Sequence, residues 1–204
     1  MIILNEIGNK AHSVCLDFCT HMLTDVKGPL VGAELGIAYG GGVEEIGKLW
    51  KGRGTIYGFD TFEGHPKQLA KSKDDFEATC MDLWYKNFPQ EMLSYEYQRA
   101  QLDKQGLDNV ILKKGLINQH SCDDIPDLNY CLLDLDMYTS MVVAYEAIKN
   151  KMLPGSYLFF HDVVPATHLP MIHDWFFDVV LVDGRWELVG TNEDNFIAGV
   201  RRIK

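Results

Sequence analysis

VGAELGIAYGGG, residues 31–42, decides the fold: a short apolar run that breaks into three consecutive glycines. Runs of this length, punctuated by glycine, read as buried strands. Three further stretches end alike in an acidic turn: TIYGFDTFEG (55–64), NYCLLDLDMY (129–138) and SYLFFHDVV (156–164). In an open α/β sheet the strand carboxyl ends share one edge, and ligands bind in the crevice outside it. Glu34, Asp60, Asp134, Asp136, His161 and Asp162 are therefore expected in one cleft, suited to a ribose-bearing cofactor and a cation.

Outward from the first strand (31–36), a helix is expected over 43–51 and a second strand over 55–59. So short a crossover makes a parallel, right-handed βαβ unit. Upstream, Val14, Cys15, Phe18, Cys19 and Met22 form a helical stripe within 10–25, in an N-terminal helical segment spanning 1–27. Strands are expected at 109–113, 130–134 and 157–160, with a helix at 140–151 and a Pro154–Gly155 turn. Strands 186–189 and 196–202, joined by the polar loop 190–195, suggest an antiparallel hairpin on the sheet edge. Residues 65–105 break the rhythm with aromatics and charges, as a lid insertion does; a crossover helix with its aromatics on the sheet is the plainer alternative. The whole, 1–204, reads as one domain, without repeat or linker.

Composition narrows the function. With 47% hydrophobic and 24% charged residues, the chain falls in the ordinary globular range. A net charge of −10 repels a phosphate backbone, so nucleic acid is not the expected partner. Arg201, Arg202 and Lys204 read as a solvated tail. The five cysteines (Cys15, Cys19, Cys80, Cys122, Cys131) contain no CxxC pair and read as buried thiols. MIILNEIGNK lacks a basic n-region, and no run approaches the roughly 18 apolar residues of a membrane span. A reducing cytoplasmic setting, away from membranes, is expected.

Glycines after a strand let the backbone approach a ligand and free the next helix's N–H groups. Asp60 ends the second strand about 20 residues past that turn, where an acid accepts from ribose hydroxyls; a solvated strand-end Asp is the alternative. Glu34, inside an apolar strand, requires a partner: a ligand ammonium, a lysine or backbone donors. Asp134 and the His161–Asp162 pair, on adjacent strand ends, could with water hold a divalent cation. Alternatively Asp136 and Asp162 cap helices and His161 packs on the sheet.

With these residues in place, the chain resembles the class I S-adenosylmethionine-dependent methyltransferases, and within them the macrocin O-methyltransferase family. The family pattern is a Glu-x-Gly turn with Gly-Gly, then FDTFEGLP, DGDLYEST and PGGxxxxDD. Here stand ELGIAYGGG (34–42), FDTFEGHP (59–66), DLDMYTS (134–140) and PGSYLFFHD (154–162), over roughly residues 28–204. The resemblance implies an α/β, Rossmann-like, seven-stranded and mostly parallel sheet with helices on both faces and a C-terminal antiparallel hairpin. It implies S-adenosyl-L-methionine as cofactor, with Asp60 on the ribose, Thr61 beside it, and Glu34, Gly36, Gly40 and Gly41 around the methionine end. Asp134, His161 and Asp162 would hold a divalent ion, Mg2+ or Mn2+, that draws in a hydroxyl and lowers its pKa.

Catechol methyltransferases carry a lysine three residues after the first acid; Met137 stands at that place here. Asp136 is thus the expected base, with His65 a second. Two positions depart from the family, His161 for Asp and His65 for Leu. An imidazole favours manganese, zinc or iron over magnesium, or His161 serves as base of a metal-free site. The expected reaction is methyl transfer to a hydroxyl of a small sugar or natural product, with Trp84, Tyr85 and Tyr138 lining the pocket. Small enzymes of this kind often form a homodimer, though no apolar stripe singles out an interface. The rivals are a nucleotide-linked oxidoreductase, against which the missing GxGxxG argues, and a non-catalytic cofactor-binding module.

Overall fold

The computed structural model describes residues 11–80 and 89–204. Seven strands, β1 (Leu30–Leu35), β2 (Gly54–Asp60), β3 (Val110–Lys114), β4 (Leu128–Leu133), β5 (Met152–Phe160), β6 (Trp186–Asn192) and β7 (Ile197–Arg202), form one sheet. Its order is β3-β2-β1-β4-β5-β7-β6. The first five strands are parallel, and β7 pairs antiparallel with both β5 and β6. The hairpin is on the sheet edge as expected, with β7 inserted beside β5 and β6 outermost.

Among the described residues there are six α-helices: α1 (Ala11–Asp25), α2 (Gly41–Leu49), α3 (Lys73–Cys80), α4 (Tyr95–Lys104), α5 (Tyr138–Ile148) and α6 (Pro170–Trp175). Side chains alternate across the strands, so both faces are apolar. Tyr130, Leu132 and Phe159 pack with Cys15, Phe18 and Met22 of α1, Val43 and Ile46 of α2 and Leu102 of α4. Cys131, Leu133, Leu158 and Phe160 pack on the other face with Met141, Ala144 and Tyr145 of α5 and Ile172 and Trp175 of α6. Each such buried Leu or Phe contributes about 1.5–3 kcal/mol relative to exposure.

Several boundaries differ from the sequence expectation. α2 starts at Gly41, because the glycine turn itself forms the helix's first turn, with Gly40 as N-cap at φ 76°. β5 starts at Met152, since the chain passes Pro154–Gly155 through an irregularity in its pairing with β4 rather than a separate turn. α3, α4 and α6 were not expected as separate helices. α6 runs on into a wide π-helical turn, Phe176–Val180, which no periodicity announces. Cys15, Cys19, Cys122 and Cys131 are free and buried as expected. Among the described residues no helix is long and apolar enough to cross a membrane. Trp84 and Tyr85 lie outside the described residues, and Tyr138, the first residue of α5, is partly buried against the core.

Candidate active site

The loops after β1, β2, β4 and β5, and the start of β7, share one sheet edge. Among the described residues, the five non-glycine residues with left-handed backbone, Ala38, Phe62, Asp136, Asp162 and Phe196, all stand in these loops, at φ between 46° and 59°. Such conformations cost free energy and persist where the surroundings impose them. The strain of the described fold is thus concentrated on the edge where the acidic residues gather.

Gly36 lets this edge close. At φ 89°, a Cβ there would lie 1.8 Å from the Asp134 carbonyl oxygen, so the ends of β1 and β4 touch backbone to backbone. Gly41 is different: a Cβ there would meet none of the described residues within 4 Å, so among them the N-terminus of α2 faces open space. Asp60 holds the turn between them. Its Oδ2 accepts from the Ile37 and Ala38 N–H groups at 2.9 and 3.0 Å, and its Oδ1 from Phe62 N–H at 2.8 Å. Thr61 Oγ1 is 3.3 Å from Oδ1 but has a shorter contact, 2.8 Å, to the Gly64 carbonyl. The protein's own donors therefore leave one acceptor position on Asp60 unused. Thr61 itself closes the FEG turn.

Glu34 is 1% exposed, and its Oε2 has no hydrogen-bond partner among the described residues. Burial, reinforced by the charges of Asp134 and Asp60, pushes its carboxyl well above the usual range. A Cβ on Gly42 would lie 2.4 Å from Oε2, so a larger residue there would push the Glu34 carboxylate aside. An orphaned buried carboxyl beneath a helix N-terminus with open space beside it fits the polar end of a bound ligand.

Asp134, Asp136, His161 and Asp162 each offer a ligand atom, all within 4.8 Å of one another. His161 Nδ1 lies 3.1 Å from Asp134 Oδ1 and 3.2 Å from Asp162 Oδ2, yet it makes no well-aligned hydrogen bond. His65 Nε2 lies 2.8 Å from Asp136 Oδ2, and His168 Nε2 lies 3.0 Å from Asp162 Oδ1. Burial would lower the His161 pKa, but the Asp134 and Asp162 carboxylates hold it up at about 11. Burial would raise Asp162, which the contacts of His161 and His168 bring far below its ordinary value. Burial and the negative charges of Asp162 and Asp134 push Asp136 up, against the hydrogen bond from His65.

Of the residues named from the sequence, the glycines, carboxylates and histidines thus stand on this edge, while Trp84 and Tyr85 lie outside the described residues. Sequence reasoning missed His168, which also packs on Phe196 with ring centroids 4.7 Å apart. It missed Gln98 of α4, whose Nε2 donates to the Ala38 carbonyl at 2.6 Å and braces the glycine turn. Neither carries a local sequence signal.

The family model described as Macrocin-O-methyltransferase (TylF) matches residues 20–176, well over half of the chain. The chain belongs to the macrocin O-methyltransferase family. It is an S-adenosylmethionine-dependent methyltransferase, and the glycine turn, Asp60 and Glu34 are the described features that fit the family's cofactor. Among solved structures, that of the O-methyltransferase NovP is similar with a TM-score of 0.69 and 19% identity, covering 93% of this chain and 78% of that one. CalS11, a calicheamicin methyltransferase, gives 0.66 and 19%, covering 91% and 76%. An rRNA methylase from Streptococcus thermophilus gives 0.58 and 14%, covering 96% and 98%. At these identities the likeness shows the fold. No curated protein matches the chain.

Proposed function

We propose that this enzyme transfers the methyl group of S-adenosylmethionine to a hydroxyl of a small sugar or sugar-bearing natural product, with a divalent cation at Asp134, His161 and Asp162. The observation that carries the cation is the setting of His161 Nδ1. It is about 3 Å from two carboxylate oxygens without an aligned hydrogen bond to either. Neighbouring ligands of an octahedral ion with bonds near 2.1 Å are separated by about 3.0 Å. The donor set fits an ion, and its imidazole favours manganese, zinc or iron over magnesium. A cation bound there lowers the pKa of a hydroxyl that it ligates.

The chain's own groups supply the rest. Gly41 and its neighbours at the start of α2, with Glu34 beneath them, hold the methionine end, and Asp60 accepts from one ribose hydroxyl. Asp136, raised toward neutrality and oriented by His65, takes the acceptor's proton at a carboxylate oxygen. Without an ion, the flanking carboxylates favour the protonated ring, which makes His161 a poor base for a metal-free reaction; a bound ion would displace that proton. The acceptor class rests on the family and on CalS11, described as a TDP-rhamnose 3'-O-methyltransferase. A net charge of −10 disfavours nucleic acid as the acceptor, and free buried thiols suit a reducing cytoplasm.

Calorimetric titration of S-adenosylhomocysteine into chelator-treated protein, repeated with Mg2+ and Mn2+, tests this reading. Micromolar binding and a separate metal heat lost in Asp134→Ala support it. Absence of S-adenosylhomocysteine binding under every condition sinks the cofactor site; binding with no metal heat restores the metal-free alternative.

A further inference from the structure

Two helices begin beside the acidic cluster, and neither caps itself. α5 starts just after Asp136 with Met137 as N-cap, and α6 starts after the 161–169 loop with Leu169 as N-cap. Apolar N-caps leave the first helical N–H groups without partners. The missing acceptors come from α3. Asp75 Oδ1 accepts from Thr139 N–H at 2.9 Å, and its Oδ2 from Thr139 Oγ1 at 2.5 Å. Asp74 Oδ2 accepts from Ile172 N–H at 3.0 Å.

The same Asp75 carboxylate closes its own helix. Its Oδ2 accepts from Lys71 and Ser72 N–H, both at 3.0 Å, while Ser72 Oγ accepts from Asp75 N–H at 3.0 Å. This is a capping box with Asp in place of Glu. Both side chains are 0% exposed. Two adjacent, fully buried aspartates are costly unless their partners require the charge, and helix N-termini do. Thr139 follows Asp136 by three residues, and Ile172 follows His168, the partner of Asp162, by four. Adjacent side chains of one helix thereby hold the two chain segments that carry the two halves of the cluster.

We propose that Asp74 and Asp75 are positioning residues of the transfer site, fixing the Asp134–Asp136 segment relative to the His161–His168 segment by capping α5 and α6 from α3. What the site does rests on the methyltransferase reading; that α3 sets its geometry does not. On this view α3 is a structural post for the acidic cluster.

The test compares Asp75→Asn, Asp74→Asn, Thr139→Val and Thr139→Ser in the full chain. Titrations measure Mn2+ and S-adenosylhomocysteine affinity, and histidine ring NMR reports on His65, His161 and His168. Asp75→Asn and Thr139→Val are expected to weaken Mn2+ by about tenfold, leave S-adenosylhomocysteine within roughly twofold, and shift the His161 and His168 ring signals. Asp74→Asn is expected to shift His168 most, and Thr139→Ser to keep the wild-type values. If Asp75→Asn does not fold, Thr139→Val decides. A lower melting temperature with unchanged Mn2+ affinity and ring signals overturns the proposal and leaves only a structural role. If wild-type protein binds neither probe, the methyltransferase reading fails, and the ring signals alone then decide whether α3 positions the cluster.

Discussion

His65 Nε2 lies 2.8 Å from Asp136 Oδ2, and this contact joins the loop after β2 to the loop after β4 across the end of β1. No sheet pairing connects those loops, so the contact is a crossbar over the crevice. His65→Leu, which installs the residue common in the family pattern, is expected to fold and to cost about 1 kcal/mol in urea unfolding, because Asp136 is partly solvated. It should also raise the Asp136 pKa, since the hydrogen bond from His65 opposes the effect of burial. An unchanged Asp136 titration by carboxyl-detected NMR would show that the crossbar does not exist in solution.

Asp60 is expected to matter through the protein before it matters through the ligand. Asp60→Ala strips the acceptors from three backbone N–H groups, at Ile37, Ala38 and Phe62. Each hydrogen bond to a charged group is worth about 1.5–3 kcal/mol, so the variant should lose several degrees of Tm as well as S-adenosylhomocysteine affinity. A variant with full thermal stability and weakened binding would mean that Asp60 acts only on the ribose. Calorimetry and a thermal melt on one preparation separate the outcomes.

Gly36 and Gly41 make a contrasting pair. Gly36→Ala forces a Cβ to 1.8 Å from a backbone oxygen at a left-handed φ, and it should fail to fold or lose several kcal/mol. Gly41→Ala meets none of the described residues. It should keep or slightly raise Tm through helix propensity, and weaken S-adenosylhomocysteine by filling the space at the start of α2. Equal binding by Gly41→Ala and wild type would place the ligand elsewhere on the edge.

How much of this was legible in the sequence follows from the range of each interaction. The strands and α2 were readable because apolar runs and glycine are local signals, and the acidic residues were placed together because parallel strands share an edge. Asp60 was found as a strand-end acid, but its main partners, Ile37 and Ala38, lie across a crossover and leave no local trace. Gln98 and His168 were invisible for the same reason: each acts on a loop contributed by another element. Ser72-x-x-Asp75 is a partial exception. The spacing announces a capping box at the start of α3, yet only the folded chain shows that the carboxylate also serves Thr139. π-helical Phe176–Val180 follows α6 without any sequence periodicity to mark it.

Asp74 and Asp75, neighbours in one helix, are expected to give stability slopes of opposite sign. Burial would raise the Asp75 pKa, but the donors on Thr139, Lys71 and Ser72 bring it below the ordinary carboxylate value. Its contribution is then complete above the unfolded value of about 3.9 and is lost as pH falls through the lower folded value. The stability gap between wild type and Asp75→Asn should stay level from pH 7 to about 5 and close below about 4. Asp74 is pushed up by burial, the Ile172 and Met171 N–H groups offsetting this only in part. Between the unfolded and the raised folded value the native state keeps a proton that the unfolded chain has lost, so stability falls there as pH rises. Asp74→Asn should therefore gain on wild type as pH rises just above the ordinary carboxylate range. Urea midpoints at half-unit intervals from pH 3.5 to 7 check both slopes; parallel curves for the two variants would show that neither cap is formed by a charged carboxylate.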